Sequence, residues 1–389
     1  EPYNIVLNPG KTTDLVKKIS KKLKNKFPVD NNLYWIKNPK PNIHFEILFH
    51  VIEQLWAYNS SWEGKCKNPY IYPYFSPFTK SNFKFSQDEL YAVKEQFIMR
   101  IMDIVNGYDE YYRKNKNKEK WFADFFNMKH KWDIFTFNYD TMVEDSLDKF
   151  EDGYEDVEGE TYQKFSPLKL HSNSRDLSTV NHLHGCIRYY YKKDYNKDDL
   201  ETDMHDLYKY PDYQTVKDMM MGRGQSNKVS QANEEYLAGP IITGLKKTDK
   251  LSCIPYDCYH GNLYKALYSS NALVIVGYSF GDIYVNNLIR MMNVLYGDKK
   301  RIVIIDKWDQ KKINSEPLGL NKFIKDSISP HEVKFWQMMS GCSGDLMDGF
   351  LQKDVKKVMV SKNKCLMILA DGFKSAAKHK DEIEEFLNS

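Results

Sequence analysis

The stretch ALVIVGYSFGDIYVNNLI, residues 272–289, decides the fold. It opens with an entirely apolar run, Ala272–Val276, which is typical of a buried strand in a parallel sheet. Gly277 and Gly281 follow, and glycine lets the backbone turn where a side chain would clash and approach a ligand closely. Helical spacing of apolar residues resumes after Asp282. The stretch therefore predicts a strand, a glycine-rich turn and a helix in succession.

The turn carries groups suited to a sugar or a phosphate. Ser279 can donate a hydrogen bond to either, and Asp282 can accept one from a ribose hydroxyl. Asp282 also occupies the helix N-cap position, and the two roles can coexist. Asn286 and Asn287 lie one turn into the helix, and we expect at least one of them only to pack or face solvent. An ordinary strand–turn–helix unit is the alternative, because short glycine motifs are common.

A second stretch, TFNYD at 136–140, ends a strand-like run, DIFTF at 133–137. Asn138 and Asp140 place an amide and a carboxylate just past the strand end, where they can hold a ribose hydroxyl or a water. Tyr139, between them, is a candidate cofactor contact. The alternative is that Asn-Tyr-Asp only turns the chain and caps the next helix.

A third stretch is HLHG at 182–185. A neutral imidazole at the edge of a cleft can orient or deprotonate a hydroxyl or a water near neutral pH. The alternative is a structural histidine. His182 would share a face with His184 in a regular strand. Gly185, however, predicts a turn at His184, so His184 alone is the candidate.

Composition excludes several classes of function. The 389 residues fit one large domain with insertions or two domains, and the net charge of +3 does not favour nucleic-acid binding. The six cysteines form no C-x-x-C pair, so no metal site is expected and reduced thiols in a cytosol are the default. No signal peptide and no apolar run of about 18 residues are present, which predicts a cytoplasmic protein without a membrane span.

Strand-like runs alternate with helical patterns between residues 133 and 306. This alternation predicts an α/β fold with a Rossmann-like, doubly wound parallel sheet. The predicted domains are a nucleotide-binding domain from 1–30 and 130–340, an inserted helical subdomain at 31–129, and a C-terminal helical extension at 341–389. Individual predictions include strands at 4–7, 168–171 and 333–337 and helices at 141–150, 345–358 and 375–387.

TFNYD, HLHG and VIVGYSFGD-x-x-x-N, in that order, resemble the sirtuin-like domains of bacterial anti-phage defence (abortive infection) systems. The resemblance covers about 130–306 well, the first strand and helix weakly, and nothing after 307. It implies a Rossmann-like domain that binds NAD+ between the sheet and a helical subdomain. It also implies hydrolysis of NAD+ to nicotinamide and ADP-ribose, which starves the infected cell.

The resemblance assigns roles to matching residues. It implies that Asn138 positions the water or the nicotinamide-side ribose, that His184 is catalytic and that Asp140 supports the site. The turn with Gly277, Ser279, Gly281 and Asp282 would contact the sugar and phosphates of the cofactor. Tyr139 and Asn286 complete the expected cofactor contacts.

The chain departs from related families in two places. True sirtuins carry two C-x-x-C zinc pairs, and their absence here counts against protein deacylation. The family also has a glycine-rich loop directly after the first strand. Here NIVL at 4–7 runs into Asn8-Pro9-Gly10, so either these residues replace the loop or a short segment is missing.

Control of such an effector needs a partner or an assembly. About 80 residues follow the last clear strand, which is short for a sensor domain. We therefore expect homo-oligomerisation or a separate partner chain, such as a HerA-type ATPase, a short Argonaute or a phage-derived activator. A second hypothesis is a non-catalytic NAD or ADP-ribose sensor.

Overall fold

The structure is a computed structural model of the chain. It describes the backbone of residues 45–59, 61–62, 66–67, 87–171, 177–191, 207–223, 227–229, 235–237, 239–243, 251, 254–278, 282–296, 299–307, 350–354, 358–361 and 364–389. The predicted strands at 4–7 and 333–337 and the turn residues Ser279 and Gly281 lie outside the described residues.

The described helices are α1 Phe45–Asn59, α2 Gln87–Lys114, α3 Lys120–Phe126, α4 Pro167–His171, α5 Tyr213–Arg223, α6 Tyr256–Ser269, α7 Ile283–Tyr296, α8 Phe373–Ala376 and α9 Lys380–Asn388. Two 3-10 helices accompany them, Glu144–Ser146 and Ala377–His379. No helix in this described part is both long and apolar enough to cross a membrane.

The described strands form five sheets. In chain order they are β1 Ser61–Trp62, β2 Cys66–Lys67, β3 Asp133–Thr136, β4 Phe150–Glu151, β5 Tyr154–Asp156, β6 Gln163–Phe165, β7 Ser178–His182, β8 Tyr189–Tyr190, β9 Tyr208–Lys209, β10 Asn227–Val229, β11 Glu235–Leu237, β12 Ala272–Val276, β13 Arg301–Ile305, β14 Phe350–Asp354, β15 Val358–Ser361 and β16 Leu366–Leu369. Parallel pairing occurs in two of these sheets, ordered β3-β7-β4 and β12-β13-β16-β15-β14. The prediction of an α/β fold with parallel strands is confirmed.

The chain divides into two compact units. The first unit comprises Glu1–Lys114 and Lys131–His260, and the second comprises Asn115–His130 and Gly261–Ser389. The predicted domain boundaries stay a prediction.

A single buried cluster ties helices to strands within the first unit. Phe49 of α1 and Ile98 and Met102 of α2 pack in the same cluster as Tyr208 of β9 and Val216 of α5. The inserted helical subdomain predicted at 31–129 stays a prediction. The apolar faces of α1 and α2 find their partners on the strand-containing part of the same unit, because burial there removes them from water.

The second unit contains the stretch from which the sequence argument began. β12 pairs in parallel with β13, and β13 pairs in parallel with β16. Strands β13 and β16 are almost entirely buried, as their runs of Ile, Leu, Val and Met require. The predicted strand, turn and helix at 272–289 are confirmed where the structure describes them.

The predicted helix at 141–150 is wrong. The chain forms only the 3-10 turn Glu144–Ser146 and then enters β4. Glu144 and Ser146 are buried, and their side chains bond His182 and Tyr112. The local pattern of apolar residues favoured a regular helix, but these long-range side-chain bonds stabilise the shorter 3-10 turn instead.

Two further predictions are wrong. Residues 168–171 belong to helix α4, which begins at Pro167, a favourable first helical residue. The predicted helix at 345–358 is replaced, at 350–354 and from 358, by strands β14 and β15. The segment predicted as a helical extension therefore contributes strands β14, β15 and β16 to the sheet that contains β12 and β13. In that sheet β14 pairs with β15, β15 with β16 and β16 with β13.

Candidate active site

The TFNYD and HLHG stretches lie side by side in the first unit. Strands β3 and β7 are adjacent and parallel, with Thr136 opposite His182. Beyond the strand ends, the Leu183 amide donates to the Thr136 carbonyl at 2.9 Å and the Ile187 amide donates to the Tyr139 carbonyl at 2.9 Å. Both polar stretches therefore leave the sheet at the same edge, where open α/β sheets carry their sites.

Asn138 has a fixed backbone and an exposed residue surface. Its amide donates to the Thr136 hydroxyl at 3.0 Å, and its carbonyl lies 3.3 Å from His182 Nδ1. An amide side chain held this way can reach a ligand without a large loss of backbone freedom.

His184 sits at a turn, as the sequence predicts. Gly185 has φ of +93°, and a Cβ placed on it would lie 2.1 Å from the Pro240 carbonyl oxygen. The His184 carbonyl accepts from the Ile242 amide at 2.7 Å. The imidazole is only 5% exposed and meets the edge of Phe137 at 4.8 Å between ring centroids. A turn locked this firmly holds the imidazole at the strand end.

Tyr139 and Asp140 shape the loop between the two strands. The Tyr139 hydroxyl donates to the Ile242 carbonyl at 3.0 Å, which ties the loop to a neighbouring segment. Asp140 accepts from the Met142 amide at 3.2 Å, as a residue that turns the chain would. Burial raises the pKa of the Asp140 carboxyl. The predicted cofactor contact of Tyr139 and the supporting role of Asp140 stay predictions.

His182 and Glu144 form a buried pair that the sequence argument missed. His182 Nε2 lies 2.8 Å from Glu144 Oε1, and both side chains are at most 5% exposed. Burial alone would raise the pKa of Glu144, but the neighbouring His182 imidazole lowers it to about 2. Glu144 in turn raises the pKa of His182. The available signal was His182, the first histidine of HLHG, which ends strand β7 and is buried.

Asp109 of α2 anchors the end of the same loop. Its carboxylate, completely buried, accepts from the Thr141 amide at 3.1 Å and from the Thr141 hydroxyl at 2.9 Å. Arg113 donates to the Thr141 hydroxyl at 2.7 Å and pairs with Asp145. Burial raises the pKa of Asp109 to about 6. No local pattern on a long helix could have indicated this contact.

Cys186 completes a cluster of possible metal-binding atoms with Glu144 and His182. The three ligand atoms lie within 4.8 Å of one another, and all three residues are buried. The imidazole and the carboxylate already bond each other, and burial raises the pKa of the Cys186 thiol, which keeps it protonated. We assign these atoms to an ion pair beside a neutral thiol.

The glycine-rich turn belongs to the second unit. Gly277 has φ of +59°, and a Cβ placed on it would meet no atom of the described residues within 4 Å. Asp282 accepts from the Val285 amide at 3.2 Å, so it caps α7 as predicted. The Asn286 side chain accepts from the Tyr278 hydroxyl at 2.9 Å. The predicted cofactor contacts of Gly277, Asp282 and Asn286 stay predictions, and those of Ser279 and Gly281 lie outside the described residues.

A comparison with known protein families finds a match in this region. Residues 133–326 match the family model of the SIR2-like domain. The match supports a sirtuin-like domain here. No curated protein matches the chain. The matched range includes β3, β7, β12 and every candidate site residue from Asn138 to Asn286, so the sirtuin-like domain contains all three quoted stretches.

The match to the SIR2-like domain limits the kinds of reaction to consider. It suggests an NAD-related activity in general, and an enzyme is plausible on that ground. It also suggests a Rossmann-like arrangement for the parallel strands.

Proposed function

We propose that this chain hydrolyses NAD+ at the nicotinamide–ribose bond, giving nicotinamide, ADP-ribose and a proton. One observation carries the proposal: within a sirtuin-like domain, Asn138 and His184 follow adjacent parallel strands and leave the sheet at one edge. The amide of Asn138 would hold a water or the ribose, and the imidazole of His184 would accept a proton from the attacking water.

The mechanism follows from the bond that breaks. The ribose passes through a cationic, oxocarbenium-like state, as in glycoside hydrolysis. Nicotinamide is cationic in NAD+ and leaves neutral, so the site needs no acid for the leaving group. The protein must instead position the ribose, exclude bulk water and admit one water molecule.

We test the proposal by incubating the purified full chain with NAD+ and measuring nicotinamide and ADP-ribose. His184→Ala and Asn138→Ala should each lower the turnover by about a hundredfold or more, because each removes a positioned catalytic group. His171→Ala is the matched control, since His171 is exposed at the end of α4. Full turnover in both site variants would contradict the proposed mechanism.

We further propose that the activity serves anti-phage defence by depleting NAD+, and that assembly controls it. A homo-oligomer or a separate partner chain, such as a HerA-type ATPase, a short Argonaute or a phage-derived activator, would supply the control. Light scattering would measure the mass of the assembly for the chain alone and after co-expression with its genomic neighbours, and nicotinamide release would be measured on the same samples. Turnover should be higher in the samples of higher mass. A fully active monomer would contradict this control.

A non-catalytic sensor is the second candidate. The burial of His184 favours it, because hydrolysis needs one water to reach the imidazole, whereas binding of NAD+ or ADP-ribose does not. A sensor would bind NAD+ or ADP-ribose without releasing nicotinamide, and Asn138→Ala would then weaken binding without a change in any product. A protein deacylase is less favoured and would release nicotinamide only with an acetyl-lysine peptide.

A further inference from the structure

Both ring nitrogens of His182 face oxygen atoms that can only accept. Nδ1 lies 3.3 Å from the backbone carbonyl oxygen of Asn138, and Nε2 lies 2.8 Å from a carboxylate oxygen of Glu144. A neutral imidazole carries a single N–H and can donate to only one of them. Only the doubly protonated ring satisfies both contacts, so the geometry calls for an imidazolium.

The surroundings balance this charge. Glu144 is the closest charged group and is buried with the imidazole. Asp140 adds a second, weaker acidic influence, while Lys209 opposes it. Lys209 is itself paired with Asp152, and the neighbouring Cys186 thiol is protonated because burial raises its pKa. A buried cation with a buried carboxylate partner is tolerated, whereas either one alone would be costly.

The imidazolium also links the two halves of the candidate site. It lies at the end of β7, two residues before His184, and its Nδ1 bond holds the backbone of Asn138 after β3. Its position therefore sets where Asn138 stands relative to the HLHG turn. A shift of about 1 Å in such a group is enough to cost about a hundredfold in rate.

We propose that His182, as an imidazolium, is a positioning residue that fixes Asn138 for NAD+ hydrolysis while Glu144 holds the ring in place. The proposal rests on the proposed function for its kinetic part. The ring's charge and its hold on the Asn138 loop are independent of that function.

Two substitutions separate the two bonds of the ring. His182→Asn places an amide near the Nδ1 position, keeping a donor for Asn138 and losing the contact to Glu144. His182→Gln places an amide near the Nε2 position, keeping the contact to Glu144 and losing the one to Asn138. If His182 positions Asn138, kcat should be higher in His182→Asn than in His182→Gln. The melting temperature should be higher in His182→Gln than in His182→Asn.

The kinetic experiment measures kcat, KM and the melting temperature of both variants. We expect His182→Gln to lower kcat at least tenfold with KM within threefold, and His182→Asn to keep kcat within threefold. Should His182→Asn fail to fold, His182→Asn with Glu144→Gln removes the unpaired carboxylate and takes its place. The control is His379→Gln, because His379 makes a similar bond to Glu382 at the surface. If kcat follows the melting temperature in both variants, His182 is only structural and the proposal is wrong.

A second experiment does not depend on turnover. The imidazole nitrogens of the ¹⁵N-histidine-labelled full chain should show His182 protonated on both nitrogens at pH 7.5. A neutral His182 ring at that pH overturns the proposal even if the chain hydrolyses NAD+.

Amide hydrogen exchange distinguishes failure of the proposal from failure of the proposed function. If the wild-type chain releases no nicotinamide, the proposed function fails and the exchange data decide about His182. Faster exchange at Tyr139–Thr141 in His182→Gln than in His182→Asn supports the hold on the Asn138 loop. Equal exchange in the two variants overturns it.

Discussion

Asp109 is a residue whose charge state the fold changes. Burial raises its pKa from an ordinary 3.8 to about 6, while its bonds from Thr141 partly oppose the rise. A carboxyl with a raised pKa binds its proton more tightly in the folded chain than in the unfolded one. Its contribution to stability is therefore largest at low pH and falls as pH rises from about 4 to about 6.

Asp109→Asn should remove this dependence. The amide cannot ionise, so the decline in the free energy of unfolding between pH 4 and pH 6 should be smaller than in the wild type. Denaturant melts at intervals of half a pH unit measure it. Asp145→Asn is the control, because Asp109 and Asp145 both form ion pairs with Arg113 and Asp145 is only half-buried. An unchanged pH dependence in Asp109→Asn would show that Asp109 is not the titrating group.

Gly185 is irreplaceable for a steric reason. Gly185→Ala would place a Cβ 2.1 Å from the Pro240 carbonyl oxygen and 2.6 Å from the Tyr256 hydroxyl, at a φ of +93°. Backbone cannot yield cheaply, so we expect a loss of several kcal/mol of stability, or no folded protein. Gly107→Ala and Gly261→Ala are matched controls within helices, where a Cβ would meet no atom of the described part of the chain within 4 Å. Their melting temperatures should equal or exceed that of the wild type.

At the scale of elements, α3 shows how a short helix is held by aromatic contacts. Phe373 of α8 meets Trp121, Phe122, Phe125 and Phe126 of α3, with ring centroids 4.8 to 6.2 Å apart. Seven residues are too few for a stable isolated helix, so packing must supply what propensity lacks.

Phe373→Ala should therefore lower stability by about 2–4 kcal/mol, since it removes a ring with several aromatic neighbours. Thermal melts of the full chain measure the loss, and hydrogen exchange at Lys120–Phe126 should rise at the same time. The neighbouring substitution Lys374→Ala removes an exposed ammonium that pairs with Glu119 and lies over the Trp121 ring, and it should change stability by less than about 1 kcal/mol. A loss in Phe373→Ala no larger than in Lys374→Ala would contradict this account of α3.

The start of α7 tests whether capping and cofactor binding coexist in one residue. Asp282→Asn keeps an oxygen for the Val285 amide and removes the negative charge, whereas Asp282→Ala removes both. We expect Asp282→Ala to cost about 1 kcal/mol of stability and Asp282→Asn much less. If Asp282 also holds a ribose hydroxyl, both variants should weaken NAD+ binding, measured by calorimetry. If Asp282→Asn binds NAD+ as tightly as the wild type, Asp282 acts only as a helix cap and its charge is not needed.

At the scale of the whole molecule, the His182–Glu144 pair should shape the dependence of stability on pH. The lowered pKa of Glu144 contributes stability that is present above about 4.5 and lost as pH falls towards about 2. The raised pKa of His182 contributes stability that is present below about 6.5 and lost as pH rises through that raised value. The pair therefore stabilises the chain fully between these limits.

Replacing both charges with neutral amides should reduce the loss of stability at low pH and at high pH. His182→Gln with Glu144→Gln should lose less stability than the wild type on acidification below pH 4.5 and on raising the pH above 6.5. Its stability near pH 5.5 should stay closer to the wild type than that of Glu144→Gln alone, because removing one partner leaves the other without its compensation. Denaturant melts from pH 3 to pH 9 measure these differences, and parallel curves for all three proteins would contradict them.

The sequence by itself determined the elements whose conformation depends on near neighbours. The apolar run at 272–276, the turn at Gly277 and the cap at Asp282 each follow from a few adjacent residues, and so does the turn at His184. Hydrophobic periodicity and glycine carry this information, because they act through local backbone sterics and burial of one face.

Only the tertiary structure decided which residues meet across the chain. The pattern at 141–150 favoured a helix, yet Glu144 pairs with His182, 38 residues away, and Thr141 with Asp109, 32 residues away. Likewise, β15 and β16 became strands by pairing within the sheet that contains β13. A buried charge or a strand edge is stabilised by a partner from another segment, and no local pattern specifies which segment that will be.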